Sequence, residues 1–547
     1  MQAYPVGQQR RSHPPVGGGL GIGKAGMRHL FTADLVRTDA GIQGNAILVA
    51  NGRIAAVGDR SELMGSAPET VYQDCFLLPG LRDAHMHPVA YAAALRGTTL
   101  ATASDFQEIN ERLRADASTS SAGAPVIGMR LNDETLTEGR LPTRQVLDRG
   151  VRHKPVLVHR YCGHVAIANT AALKAAGVTA ETPDPPGGII DRDKHGDPTG
   201  ILRETAIDLV SQGLGDDNPV STEELLDAMT RMAAVGITSI GAILRPGGGA
   251  WASLGNEVDI SIAAAERMPI KVGAYVIEED PAAVALTKAR IDSAPKRLRW
   301  LGVKRFGDGS FGGHTAAMRE PFIDVDTTGK MRLDGLDRAI AEASLALGGG
   351  AAIHAIGDSA CGAVIDLFEQ LVANGADAPK LRIEHASVLA EADIHRLAAC
   401  GAVAVVQPPF IGSEAAWLGK RLGEERLRRT YAFASLEEAG VTLAGSSDSP
   451  VEPPDPWAGM ALARDRAGMV PAEALSPNRA LALYTSGAAK ALGEPSPLQV
   501  GSPADFIVVD RDPVVATPDE VRLTEVVATY VDGAQVAVDR SRPLWLD

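Results

Sequence analysis

Runs of four to eight apolar residues recur along the chain. Between many of them, apolar side chains reappear at three- and four-residue spacing. The first pattern predicts buried strands and the second amphipathic helices. In the second half of the chain the two alternate. Strands are expected at 236–240, 270–277, 302–306, 351–354, 381–385, 403–406 and 441–444, with helices such as 336–347 and 391–399 between them. An earlier run, Cys75-Phe76-Leu77-Leu78, breaks at Pro79-Gly80 and resumes as a strand reaching His85-Met86-His87. This makes eight strand–helix units, and such alternation builds a parallel sheet that eight units can close into a (β/α)8 TIM barrel.

Both ends of the chain have a different texture. The apolar run 46–50 is followed by the turn Asn51-Gly52 and the run 53–57. Near the other end, 504–510 and 526–531 are strand-like, and Asp532-Gly533 turns into 535–538. Asn-Gly and Asp-Gly between apolar runs are hairpin signals. An isolated hairpin is marginal in water, so the two ends are expected to combine into one discontinuous β-sandwich, 29–79 plus 486–547. The barrel then occupies 80–485. Residues 101 to about 225 interrupt the alternation with two further apolar runs, 126–129 and 155–158, and a Pro/Gly/Asp loop at 182–199. They predict an inserted α+β subdomain. The full expectation is an α/β chain: a distorted (β/α)8 TIM barrel, a small β-sandwich and this insert. Residues 1–28 carry Arg10-Arg11 but no continuous apolar run after them, only Gly- and Pro-rich sequence. They predict a disordered N-terminal extension, with Met27 as a candidate start.

Composition narrows the partners. The chain has 547 residues, 45% hydrophobic and 22% charged, with a formal net charge of −15. An acidic chain of this kind disfavours nucleic acid and anionic membrane, and no apolar stretch is long enough for a transmembrane helix. Four scattered cysteines, Cys75, Cys162, Cys361 and Cys400, form no CxxC pair. They read as reduced thiols in a cytoplasmic protein.

Candidate chemistry sits where the predicted strands end. Residues i and i+2 of a strand share a face, so His85 and His87 can present two imidazoles to one point. Alone, the pair is equally compatible with two solvated histidines. Further along, Lys304 lies in the fourth predicted strand, His354 ends the fifth, His385 ends the sixth, and Asp448 follows the eighth. In a parallel barrel the C-terminal strand ends share one rim, so these residues are expected to converge. For Lys304 a salt bridge with a carboxylate such as Asp308 is the competing reading. No G-x-S-x-G elbow supports a serine hydrolase. Gly247-Gly248-Gly249 lacks the GK[ST] of a phosphate loop.

His-x-His, a strand-four lysine, two later histidines and a strand-eight aspartate resemble the amidohydrolase superfamily. The segments KRFGDGSFGGHTAA (304–317), HAIGD (354–358), IEHA (383–386), SDSPV (447–451) and ADFIVVDRDP (504–513) resemble the branch containing N-substituted formamide deformylase. The resemblance runs from about 29 to 538. It implies a divalent metal site, with zinc as the expected ion. His85, His87 and Asp448 would hold one ion, His354 and His385 a second, and a carboxylated Lys304 would bridge them. A buried lysine has a depressed pKa, so its neutral amine can add carbon dioxide. The implied reaction is hydrolysis of an amide- or formamide-type C–N bond of a small molecule by a metal-activated hydroxide. Asp448 would serve as general acid and base. Expected substrate contacts are His164, which matches a histidine position of the insert, together with Asp133, Glu204 and His314. His314 stands where relatives often carry arginine, which speaks against an acidic substrate. Relatives are commonly homodimers. A mononuclear deaminase or cyclic-amide hydrolase is the alternative enzyme reading, and a non-catalytic ligand-binding relative the alternative class.

Overall fold

The computed structural model describes residues 27–545 except 122, 162, 215–218, 248–254 and 543. Residues 1–26, Cys162 and most of the Gly-rich segment at 247–249 therefore lie outside the described residues. Eight parallel strands form the central sheet: β1 (Leu81–Met86), β2 (Ile237–Leu244), β3 (Lys271–Val276), β4 (Leu298–Phe306), β5 (Gly350–Ala355), β6 (Leu381–His385), β7 (Val403–Val406) and β8 (Thr442–Gly445). Each pairs with its chain-order neighbour, and the sheet runs unbroken from β8 to β1. All eight predicted strands are present. Every residue of β1, β2, β5, β6 and β7 is buried, as expected of strands covered on both faces. β7 (Val403–Val406) is accordingly an unbroken apolar run, whereas β1 and β6 interleave apolar residues with buried charged ones, Arg82 and Asp83 in β1 and Arg382 and Glu384 in β6.

Between β8 and β1 the junction is made differently. Asp83 of β1 accepts hydrogen bonds from the Ser447 backbone N–H (3.1 Å) and hydroxyl (2.5 Å). The Asp448 N–H donates to the His85 carbonyl at 2.9 Å, and the His87 N–H to the Ser449 carbonyl at 2.7 Å. A buried carboxylate thus ties the closing seam.

Segments from the two chain ends pair with each other. Strand Phe76–Pro79 pairs antiparallel with Phe506–Val509 inside a six-stranded sheet. A four-stranded sheet, including Arg28–Thr32 and Ala46–Ala50, covers it. Phe31, Phe506 and Tyr530 stack between the sheets with ring centroids 4.5–4.9 Å apart. Arg28 already pairs with Ala50, inside the expected extension. Helix Ser486–Ala491, expected to belong to the sandwich, instead buries Ala488 and Ala491 against Ala84 and Ala444 of the barrel.

The insert carries its own six-stranded sheet, from Thr98–Thr99 to Pro198–Glu204. The expected loop at 182–199 contains a strand, Gly188–Arg192, hairpinned onto Pro198–Glu204. Its turn-forming residues masked the short alternating stretch between them. Among the described residues no helix is long and apolar enough to cross a membrane.

Candidate metal centre

His85, His87, Lys304, His354, His385 and Asp448 line one cavity of about 120 Å³ at the C-terminal rim of the barrel, together with His164 and Glu204. His85 Nε2 and His87 Nε2 lie 3.3 and 3.4 Å from Asp448 Oδ1. The His85 and His385 rings are 5.3 Å apart, and the His354 and His385 rings 4.4 Å. Ligand atoms of His85, His385 and Asp448 all lie within 4.8 Å of one another, a spacing suited to one cation. The geometry thus groups His385 with His85 and Asp448, although the sequence had paired it with His354.

Hydrogen bonds on the far side of each ring set which nitrogen faces inward. His85 Nδ1 donates to Glu384 Oε2. His385 Nδ1 donates to Gln407 Oε1 at 2.8 Å, and the Gln407 amide donates to Ser446 Oγ at 2.9 Å. His354 Nε2 donates to the Gly309 carbonyl at 2.8 Å. In the neutral form of each ring the opposite nitrogen carries a lone pair, which is what a metal requires. Burial, with nearby positive groups, holds His354 and His385 well below the usual imidazole range. Burial also pushes His85 down, but the Glu384 and Asp448 carboxylates outweigh it and raise the pKa. Burial likewise opposes the charge on Asp448, yet the surrounding imidazoles hold its carboxyl well below the ordinary range. The site therefore couples an ionised carboxylate to inward-facing ring nitrogens, and this donor set fits a divalent ion.

Lys304 is 1% exposed. Burial pushes its amine down to about 8 against the opposing pull of Glu384 and Asp448. Its Nζ sits 4.3 Å from the centre of the Phe306 ring. The competing partner is engaged elsewhere: Asp308 accepts from the backbone N–H groups of Ala317, Ile356 and Gly357 and lies 3.2 Å from His354 Nε2.

Alternation along β6 explains a second feature. Arg382 and Glu384 share a face and reach across the barrel interior. Arg382 bonds the Ala84 carbonyl, stacks 4.4 Å from the Tyr275 ring and pairs with Glu384. His385 would by alternation point outward. Its left-handed backbone, φ +74°, turns it toward the cavity. Asp448 (φ +55°) and Glu204 (φ +52°) share this sparsely populated conformation, which a surrounding structure must enforce.

The insert supplies His164, whose Nδ1 donates to Glu204 Oε2 at 2.8 Å and whose ring lies 5.6 Å from that of His354. Thr315 Oγ1 donates to the other Glu204 oxygen at 2.5 Å. Two expected substrate contacts lie elsewhere. Asp133 is captured by the buried Arg160 (Nε to Oδ1, 2.6 Å), and His314 bonds Asp324 at 3.0 Å; neither lines the cavity. Sequence reasoning missed Glu384, Gln407 and Asp83 as supports. Glu384 lies inside the IEHA segment and Asp83 two positions before His85 on the same strand, so the signal was present for both; Gln407 reaches the site from the end of another strand and had none.

Comparison with known proteins agrees with this geometry. Over 524 residues the chain is 30% identical to the N-substituted formamide deformylase of Arthrobacter pascens, covering 89% of this chain and 94% of that one. It is also 30% identical to the protein LONG AFTER FAR-RED 3 of Arabidopsis thaliana, covering 90% and 88%. An uncharacterized metal-dependent hydrolase from Pyrococcus horikoshii superposes with a TM-score of 0.70 at 26% identity, covering 90% and 99%. The family model described as the amidohydrolase family matches residues 73–537, and with these ligand-type side chains on the rim of a parallel barrel the chain belongs to the amidohydrolase family.

Proposed function

We propose that this protein hydrolyses an amide-type C–N bond of a small organic molecule, with N-substituted formamides the first class to try. The observation that carries the reading is the convergence of the His85 and His385 ring nitrogens on an ionised Asp448, with His354 lining the same cavity. His87 stands beside them at 3.4 Å from the same carboxylate oxygen. These residues would hold divalent metal, with zinc suited to the donor types. Bound there, the ion supplies Lewis acidity for a carbonyl oxygen and acidifies water.

The chain's own residues then divide the work. Asp448 accepts the proton of the attacking water at its carboxylate and returns it to the leaving nitrogen. His164, oriented by Glu204, is placed to hydrogen-bond the carbonyl oxygen as negative charge develops there. Lys304, with its amine lowered to about 8 by burial, is suited to carboxylation and to bridging two ions. The cavity of about 120 Å³ suits a small acyl group at the reacting end, and the 30% identity to a formamide deformylase points the same way.

One observation favours a mononuclear variant of the same chemistry: the imidazole and carboxylate ligand atoms within 4.8 Å of one another are those of His85, His385 and Asp448, without His354. Metal content per chain separates the two, with two ions expected for a carboxylated Lys304 and one for the variant. The main test is turnover of a panel of N-substituted formamides, larger amides and cyclic imides by metal-loaded protein, set against His85→Ala. Wild-type turnover that survives that substitution would overturn the reading.

A further inference from the structure

Residues 536–542 and 544–545 leave the outer sheets and return to the barrel. Val536 and Val538 pack against its second apolar cluster, and Trp545 is buried within it. Trp545 sits between two side chains, each linked to a segment that carries a candidate ligand. On one side is Tyr91, whose ring lies 5.3 Å away and whose hydroxyl donates to the Leu544 carbonyl. Tyr91 belongs to helix Pro88–Ala94, which His87 caps, and its N–H closes the first helical bond onto the His87 carbonyl at 2.8 Å. On the other side is Arg130, whose guanidinium lies 5.0 Å from the Trp545 ring centre. Arg130 pairs with the buried Glu452 at 3.3 Å. Glu452 shares with Asp448 the loop between β8 and helix Pro456–Asp465, and Val451 in that loop donates its N–H to the Asp448 carbonyl at 2.9 Å.

We propose that Leu544 and Trp545, anchored through Val536 and Val538, form a clamp on the catalytic rim, with Trp545 as a positioning residue that holds His87 and Asp448 at their separation. The physical basis is desolvation. A guanidinium over an indole face attracts more strongly when water is excluded, and a buried ion pair that loses its cover or its partner becomes costly. Removing the indole hydrates Arg130, loosens Glu452 and frees the Tyr91 side chain. Both ligand-bearing elements are then released together, although Trp545 touches no ligand.

The proposal rests on the reading of His87 and Asp448 as metal ligands, and its test separates the two. Trp545→Ala and Trp545→Leu are made in the full chain; the second retains apolar bulk without a π face. Zn2+ affinity is measured by chelator competition, and backbone hydrogen exchange by peptide. Weakening by about tenfold in Trp545→Ala, the scale of lost outer support, and an intermediate loss in Trp545→Leu are expected. Exchange should rise at 86–95, 127–131 and 447–453, with the rest of the barrel unchanged. Should Trp545→Ala fail to fold, the same exchange pattern and a measurable affinity loss in Trp545→Leu decide the matter. Wild-type affinity in the folded variants, or exchange that rises everywhere alike, would overturn the clamp. Wild-type protein that takes up no Zn2+ would instead overturn the metal reading beneath it.

Discussion

At the residue scale, each candidate ligand is defined by what holds its far side. Glu384 is the clearest case, because it is fully buried between His85 and Arg382. Carboxylate–histidine pairs of this kind fix ring orientation and tune ligand basicity. Glu384→Gln keeps the shape but removes the charge, so metal affinity should fall about 10- to 100-fold, measured by chelator competition. Asp448 differs in kind, since it is proposed both to bind and to move a proton. Asp448→Asn should lower kcat on the order of 10²- to 10⁴-fold while the folded circular-dichroism spectrum persists; steady-state kinetics on the best formamide of the panel provides the check. Near-normal turnover would remove Asp448 from the proton path.

At the element scale, the candidate site lies on the barrel's seam. Seven strand junctions are backbone ladders. The β8–β1 junction instead leans on Asp83, which accepts from Ser447 and from the His85 N–H at 3.2 Å. This arrangement leaves the Asp448 loop and the end of β1 open to the cavity while holding both in place. Ser447→Ala removes one bond to a buried carboxylate, and stability should drop by about 1–3 kcal/mol. The expected signature in urea denaturation is a lower midpoint at an unchanged slope. A change within error would mean that the backbone bonds at the seam are sufficient.

At the scale of the whole molecule, ion binding and protonation bear on folding itself. A ligand bound only by the folded state stabilises it by about 4 kcal/mol at a thousandfold excess over Kd. Chelator treatment should therefore lower the thermal midpoint, and Zn2+ should restore it. Protonation acts at Glu414, buried beside the barrel with the Tyr431 hydroxyl donating to it at 2.5 Å; burial pushes its carboxyl up to about 7. The unfolded value is about 4.3, so the folded state holds a proton that the unfolded chain has released. Its contribution is complete below the unfolded value and is lost as pH rises through about 7. Glu414→Gln should flatten that part of the stability–pH curve, as read from urea midpoints between pH 5 and 8. An unchanged slope would show that Glu414 does not carry it.

The order of strands and helices was legible in the sequence, and the strand-end histidines, Lys304 and Asp448 that line the cavity were named from their positions in it. Periodicity and strand-end position are local properties. What the chain order could not decide was orientation. Asp133 and His314 lie in segments that pass close to the cavity, yet Arg160 and Asp324 draw them elsewhere. His385 turns inward only because its backbone is left-handed. Glu384 meets His85 across the barrel although 299 positions separate them. Side-chain direction depends on partners brought near by folding, and such partners leave no mark at fixed spacing along the chain.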